Sequence, residues 1–308
     1  MKDPVLSLCV CTLDGASRIA DTLWSLVCQS ADPDRYEILV IENDVQAQAA
    51  TKGVVDDICG TGREIRLVIE PKLGLSNARN RAVLESRGDF VFFIDDDATA
   101  SPRLVESYIR AIEEQSPDVI GGNIQPLFEQ PPPPELEYSW WPHWSLKHFG
   151  AQDRWLATDE YFLGTNVGAS RTLLMEHAFD ARLGRTGEDL TGGEEWYLGD
   201  QRFRRRFVAA ATVFHQVPVE RMQPRYFVKR MYFGTISRAH ITDPNASLPT
   251  LPRVERLRRH LRRPAGQAAL LFRKLVWAAR IAFERRRFIR EKIREKNASE
   301  ERGNGGVT

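Results

Sequence analysis

In Phe90-Val91-Phe92-Phe93-Ile94-Asp95-Asp96-Asp97 an apolar, β-prone run ends abruptly in three carboxylates. Such a run, bounded by polar residues, reads as a buried strand. Carboxylates at its carboxyl end sit at the open edge of a sheet, where α/β folds bind ligands. Alternate side chains of an extended strand point the same way, so Asp95 and Asp97 face one site and Asp96 faces away. Two hard oxygen ligands close together suit Mg²⁺ or Mn²⁺, above all when phosphate oxygens complete the shell. The same letters also spell a solvated acidic turn after a core strand, and periodicity alone does not separate the two.

Upstream of this stretch, Val5 to Cys11 reads as a first strand, closed by the loop Thr12-Leu13-Asp14-Gly15. Ser17 to Cys28 carries Ile19, Leu23, Leu26 and Val27 at helical spacing. Tyr36 to Ile41 is a second strand, ended by Glu42-Asn43-Asp44; a helix over Ala47 to Ile58 and a strand over Ile65 to Ile69 follow. Ser76 to Arg87 reads as a helix with Ser76 as N-cap and Gly88 at its end. Downstream, Pro102 to Glu114 is a helix with proline near its first turn, and Val119 to Ile124 a strand. Strands alternating with helices over residues 1–125 predict βαβ units and a mostly parallel sheet.

Pro131 to Pro134 breaks that rhythm and favours an extended polyproline segment, followed by Trp140, Trp141, Trp144 and Trp155. Large aromatics serve packing and binding equally well. The segment is therefore either a rigid loop packed on itself or a flap, with Trp140 and Trp141 offering faces to a sugar. A second glycine-punctuated region holds Gly164-Thr165-Asn166 and then Gly184 to Glu195. A helix is expected from Glu194 to about Phe207, a strand from Val208 to His215, and basic helix from Arg253 onward.

Among the 308 residues the net charge of +1 hides a split: Arg253 to Lys296 carries +12 and the first 252 residues −10. An acidic body argues against a nucleic-acid groove, and the basic tail suits an anionic membrane surface. There Leu270, Leu271, Leu275, Val276, Ala279 and Phe283 fall at helical spacing, with Arg273, Lys274, Arg280 and Arg285 between them. That pattern is an amphipathic helix, lying on a membrane or docked on its own body, and too often interrupted to span a bilayer. Cys9, Cys11, Cys28 and Cys59 show no metal-binding spacing and read as buried free thiols of a reducing compartment. Val5 to Leu13 is too short for a span, no cleavable signal pattern follows it, and the triplets at Asn245 and Asn297 read as chance.

Taken together, several stretches resemble family 2 glycosyltransferases of the GT-A fold. They are the Val5–Asp14 strand and loop, Ile38 to Asp44, Gly74-Leu75-Ser76-Asn77-Ala78-Arg79-Asn80, the DxD-like Phe93 to Asp97, Gly164-Thr165-Asn166, and Gly193-Glu194-Glu195. The resemblance implies an α/β GT-A domain with a mostly parallel central sheet, its donor half at 1–125 and its acceptor half at 126–250, then a basic helical tail at 251–308. It implies an inverting, metal-dependent hexosyltransferase with a nucleotide-sugar donor, a carbohydrate or lipid-linked acceptor and a role in cell-surface glycan synthesis. The expected location is the cytoplasm, at the membrane face. Thr12, Leu13, Asp14, Glu42, Arg79, Asp95 and Asp96 fall on the donor side; Asp95 and Asp97, with His215 as a third ligand, on Mg²⁺ or Mn²⁺; Asn166 on the acceptor side.

An inverting transfer also requires a base, for which a carboxylate is the usual choice. Glu188-Asp189 matches the family's pair by letters, and Glu194-Glu195 by position, after glycine and before Leu198. Glu195 is the first candidate, Glu194 the second and Asp189 the third. His215 is equally readable as a hydrogen-bonded structural histidine. A nucleotidyltransferase is the first alternative, but Thr12-Leu13-Asp14-Gly15 is no glycine- and lysine-rich triphosphate loop. A non-catalytic binding module is the second, and the intact Asp95, Asp97 and Glu195 argue against it.

Overall fold

The computed structural model describes residues 3–60, 62–136, 138–187, 189–242 and 268–304. These fall into two compact units, Met1–Leu127 with Trp144–Gln216, and Phe128–His143 with Val217–Thr308. The 144–216 segment thus packs with the first half.

In the first unit, β1 (Leu6–Thr12), β2 (Tyr36–Glu42), β3 (Arg66–Ile69) and β4 (Phe90–Asp95) run parallel in the order β3-β2-β1-β4. Parallel neighbours need crossovers, supplied by α1 (Ile19–Val27), α2 (Gln48–Cys59) and α3 (Leu75–Glu85). Beyond β4 the sheet continues through β9 (Val167–Ser170), β6 (Val119–Gly121), β10 (Arg205–Phe207) and β8 (Arg154–Trp155), with β9 antiparallel to both neighbours. A smaller sheet orders β5 (Ala98–Ala100), β11 (Val213–Val217) and β7 (Ile124–Phe128).

Register sets the site. Thr12 lies opposite Glu42 and Cys11 opposite Asp95, so three strands end at one edge. Period-two alternation splits β4 between two cores. Phe90, Phe92 and Ile94 join the layer of α1 and α4 (Leu104–Gln115), whereas Val91 and Phe93 join the layer of α3. Asp95 continues the α3-facing row, which aims it at Arg79.

Several elements differ from their sequence reading. The strand expected over Val119 to Ile124 is two strands in two sheets, because the chain turns at Gly122; a Cβ there would stand 1.7 Å from the Ala211 carbonyl oxygen. Helix α3 begins one residue before Ser76, after Gly74, whose N–H is held by Asn43 Oδ1; the Ser76 hydroxyl donates to the Leu183 carbonyl and is no cap. The helix expected from Glu194 to Phe207 is one 3-10 segment, Glu194–Gly199. It stops where buried Arg205 donates to the carbonyl of Gly199 and, through the same guanidinium, to that of Ala157. His215 lies inside β11 and does not close it. Of the cysteines, all free, only Cys9 is buried. The β9 strand and α5 (Arg171–Glu176) were not anticipated.

The second unit holds α6 (Pro224–Thr242) and α7 (Ala268–Asn304). On α7, Trp277, Ile281 and Phe288 are buried. Trp277 meets Phe227 and Phe288 meets Tyr232 edge-on, and Arg225 pairs with Glu291 at 2.9 Å. Val276, Ala279 and Phe283 of the expected stripe stay exposed. The side chains of Leu270, Leu271, Arg273, Lys274 and Leu275 lie outside the described residues, as does 243–267. Among the described residues no helix is long and apolar enough to cross a membrane.

Candidate active site

Asp95 ends β4, and Asp97 lies in the turn before β5. Antiparallel pairing sets His215 of β11 opposite Ala98, beside that turn. Ligand atoms of Asp95, Asp97 and His215 lie within 4.8 Å of one another. His215 Nε2 is 3.0 Å from Asp97 Oδ1, and its Nδ1 is 2.8 Å from the Trp144 carbonyl oxygen. With Nδ1–H donating to that carbonyl, a neutral ring turns a lone pair toward a carboxylate. Two acceptors at that distance require a proton or a cation between them. Two carboxylates and an imidazole therefore fit Mg²⁺ or, better for a nitrogen ligand, Mn²⁺.

Asp96 turns the other way. Its carboxylate accepts from the Thr12 hydroxyl at 2.6 Å and from Arg18 at 3.0 Å, and its carbonyl accepts from Thr22. Burial, with Asp97 next, raises its carboxyl above the ordinary value, and Arg18 and Thr12 oppose that. Asp96 and Thr12 thus fasten β4 to β1. Cys11, half-buried beside Asp95 but with its thiol turned away from water, is pushed up to about 12 by that desolvation and stays a thiol at neutral pH.

Arg79 joins the two ends of the site. Its guanidinium, 3 % exposed, donates to Glu194 Oε1 at 2.7 Å and to the Gly164 carbonyl at 3.2 Å, and lies 3.7 Å from Asp95. It also stands over the rings of Phe93 and Phe179. From the opposite side, Thr165 donates to Asp95 at 2.6 Å, and the Gly164 N–H donates to Glu195 at 3.0 Å. The contacts close a ring: Asp95, Arg79, the Glu194-Glu195 turn, Gly164, Thr165 and Asp95 again. Gly164 is required in it, since a Cβ would stand 2.6 Å from the guanidinium.

This geometry sorts the remaining candidates. Glu194 is buried against Arg79; burial raises its carboxyl and Arg79 works against that. Glu195 is partly exposed. Asp189 is exposed in a turn closed on Thr186, and Glu188 lies outside the described residues. Glu42 ends β2 as expected but is fully buried; it accepts from Thr51 at 2.5 Å and from the Asp44 N–H at 2.8 Å, so it braces the loop. Leu13 and Asp14 remain accessible at the same edge. Asn166 is fully buried too: it accepts from Tyr108 and donates to the carbonyls of Asn123 and Ala211, which makes it a bracket in the core. Trp140 packs on Phe227 within the second unit, and Trp141 against Tyr138.

Residues 7–177 match the family model described as Glycosyl transferase family 2. The chain belongs to that family. It is 26% identical over 193 residues to the glucosyl-dolichyl phosphate glucuronosyltransferase of Haloferax volcanii, covering 59% of this chain and 58% of that one. Of three curated relatives that it matches, the chain spans 36 to 58% of their length. Among solved structures, S. aureus TarS 1-349 in complex with UDP-GlcNAc superposes with a TM-score of 0.53 at 17% identity, covering 79% of this chain and 68% of that one. The mannosyltransferase PcManGT from Pyrobaculum calidifontis, in complex with GDP-Man and Mn2+, gives 0.53 at 16%, covering 92% and 76%. This family 2 glycosyltransferase therefore has the GT-A fold.

Thr165 and Arg18 were not foreseen as neighbours of the triplet. Thr165 carried a signal, as a hydroxyl between the two residues of a motif already singled out. Replacing Arg79 with Ala leaves Glu194 buried alone, a loss of about 3–5 kcal/mol in urea unfolding. Arg79→Met with Glu194→Met recovers most of it, because no lone buried charge remains.

Proposed function

We propose that this enzyme moves a hexosyl group from a nucleotide-sugar to an acceptor hydroxyl with inversion, with Mg²⁺ or Mn²⁺ held by Asp95, Asp97 and His215 and with Glu195 as the base. The observation that carries this is the adjacency of two contacts: Thr165 on Asp95 at 2.6 Å and Gly164 on Glu195 at 3.0 Å. Two successive residues of one loop hold the leaving-group end and the proton-accepting end at a fixed spacing, as a reaction limited by orientation needs. The bound cation supplies positive charge to the departing nucleoside diphosphate. Accessible Leu13 and Asp14 line the nucleoside side of that edge.

In the transfer, the acceptor oxygen bonds to the anomeric carbon while the bond from that carbon to the diphosphate oxygen breaks. The hydroxyl proton passes to Glu195. The Gly164 N–H donates to Glu195 Oε1 and orients the carboxylate, whose other oxygen faces the acceptor hydroxyl in this reading. Glu194 serves as the partner of Arg79 and takes no proton from substrate.

A lipid-linked or carbohydrate acceptor in glycoconjugate synthesis fits the relative that acts on a glucosyl-dolichyl phosphate. Val276, Ala279 and Phe283, exposed at i, i+3 and i+7 on α7, support peripheral contact with the cytoplasmic face of a membrane.

Three outcomes are expected. Asp97→Ala removes Mn²⁺-dependent binding of UDP and GDP in calorimetry and leaves the far-UV circular dichroism unchanged; nucleotide binding indifferent to EDTA contradicts the cation's place. Glu195→Gln lowers turnover by about two to four decades with donor binding nearly unchanged, and product NMR reads inversion. Val276→Asp with Phe283→Asp weakens co-sedimentation with phosphatidylglycerol vesicles, and salt weakens that of the unaltered chain; equal sedimentation of both proteins removes α7 as the membrane contact.

A further inference from the structure

Immediately after Glu195 stands Trp196, 56% exposed, and Tyr161 beside it is 38% exposed. Their ring centroids are 6.0 Å apart and their planes meet at 57°. Apolar rings left in water are informative where they are contiguous and lie next along the chain to a reacting group. Both are tied to the reacting carboxylate through the backbone. Trp196 is its chain neighbour, and Tyr161 lies three residues before Gly164, whose N–H holds Glu195. The Lys147 ammonium, 4.2 Å from the Tyr161 centroid, steadies that ring. Trp155, also exposed, differs: the guanidinium groups of Arg204 and Arg206 stand over it at 4.8 and 5.2 Å.

We propose that Trp196 and Tyr161 form a ledge that seats a pyranose ring of the acceptor, so that the acceptor is itself a glycoside and not a bare alcohol or lipid phosphate. This rests on Glu195 being the base. The face of an aromatic ring is electronegative and its edge electropositive. The C–H bonds on one face of a pyranose carry the complementary small positive charge, while its hydroxyls point outward from the rim. A sugar lying on the ledge turns a rim hydroxyl toward the adjoining carboxylate. A nucleobase would stack equally well on such rings, but the donor diphosphate belongs with Asp95 and Asp97. A single displacement brings the acceptor from the opposite side, where Glu195 and the ledge are. The ledge thus replaces Trp140 and Trp141 as the acceptor-side aromatics.

The test uses octyl β-D-glucoside, octyl β-D-galactoside and octyl α-D-mannoside as probes with the full chain. In saturation-transfer NMR, sugar-ring protons of at least one glycoside receive more saturation than its octyl chain, and Trp196→Ala and Tyr161→Ala abolish the difference. Trp196→Phe retains it, because a flat ring remains. With a glycoside that is turned over, Trp196→Ala raises the acceptor KM about ten- to a hundredfold, as expected for a lost stacking platform, and donor KM moves less than about twofold. Equal ring saturation and equal acceptor KM in Trp196→Ala and wild type overturn the ledge. So does saturation confined to the octyl chain, or none with any of the three. If ring saturation depends on Trp196 but Glu195→Gln keeps full turnover, the sugar site stands and the assignment of the base fails.

Discussion

A guanidinium taken out of water is tolerable only where its charge and its N–H groups are met. Arg79 is met by Glu194, the Gly164 carbonyl and Asp95, and by aromatic faces on Phe93 and Phe179. The partners come from β4, from the loop before β9 and from the turn at Glu194, so satisfying one side chain brings three distant stretches together. Arg79 is itself fixed from behind. Asn43, at the end of β2, accepts from the Gly74 N–H and donates to the carbonyls of Glu70 and Lys72. The start of α3, and with it Arg79, is thereby referred to the sheet edge.

That arrangement divides labour between neighbours of identical chemistry. Glu194 and Glu195 differ by one position, yet one is buried in an ion pair and the other is partly exposed. The aspartate triplet is divided the same way: Asp96 clamps β4 to β1, while Asp95 and Asp97 turn toward His215. In both places the committed residue holds the backbone still so that its neighbour can be presented. Loss of either clamp should therefore disturb the site through geometry and not through chemistry.

The triplet was legible because alternation along a strand is a local property. Phe90 to Asp95 sorts into two faces whatever it pairs with, and the direction of Asp95 follows. Glu42 and Asn166 show what the sequence does not carry, because burial is not local. Each sits at a strand end or in a glycine loop, as a ligand contact would, and only packing shows its polar atoms already engaged by Thr51 and Asp44 or by Tyr108, Asn123 and Ala211. The helix after Glu194 failed for a related reason: Arg205 draws the Gly199 carbonyl together with that of Ala157, which is far away in sequence. His215 was readable through the resemblance, which sets it with Asp95 and Asp97; that β11 brings it there by pairing with β5 was not.

The pairing of β11 with β5 also bears on how the chain matures. Asp95 and Asp97 are made early, and His215, which comes much later in the chain, is set beside them by the pairing of β11 with β5. Contacts of such long range form late, because the loop they close must first lose its freedom. A nascent N-terminal half therefore displays a pair of aspartates without their imidazole partner. The three side chains come together only when β11 pairs with β5.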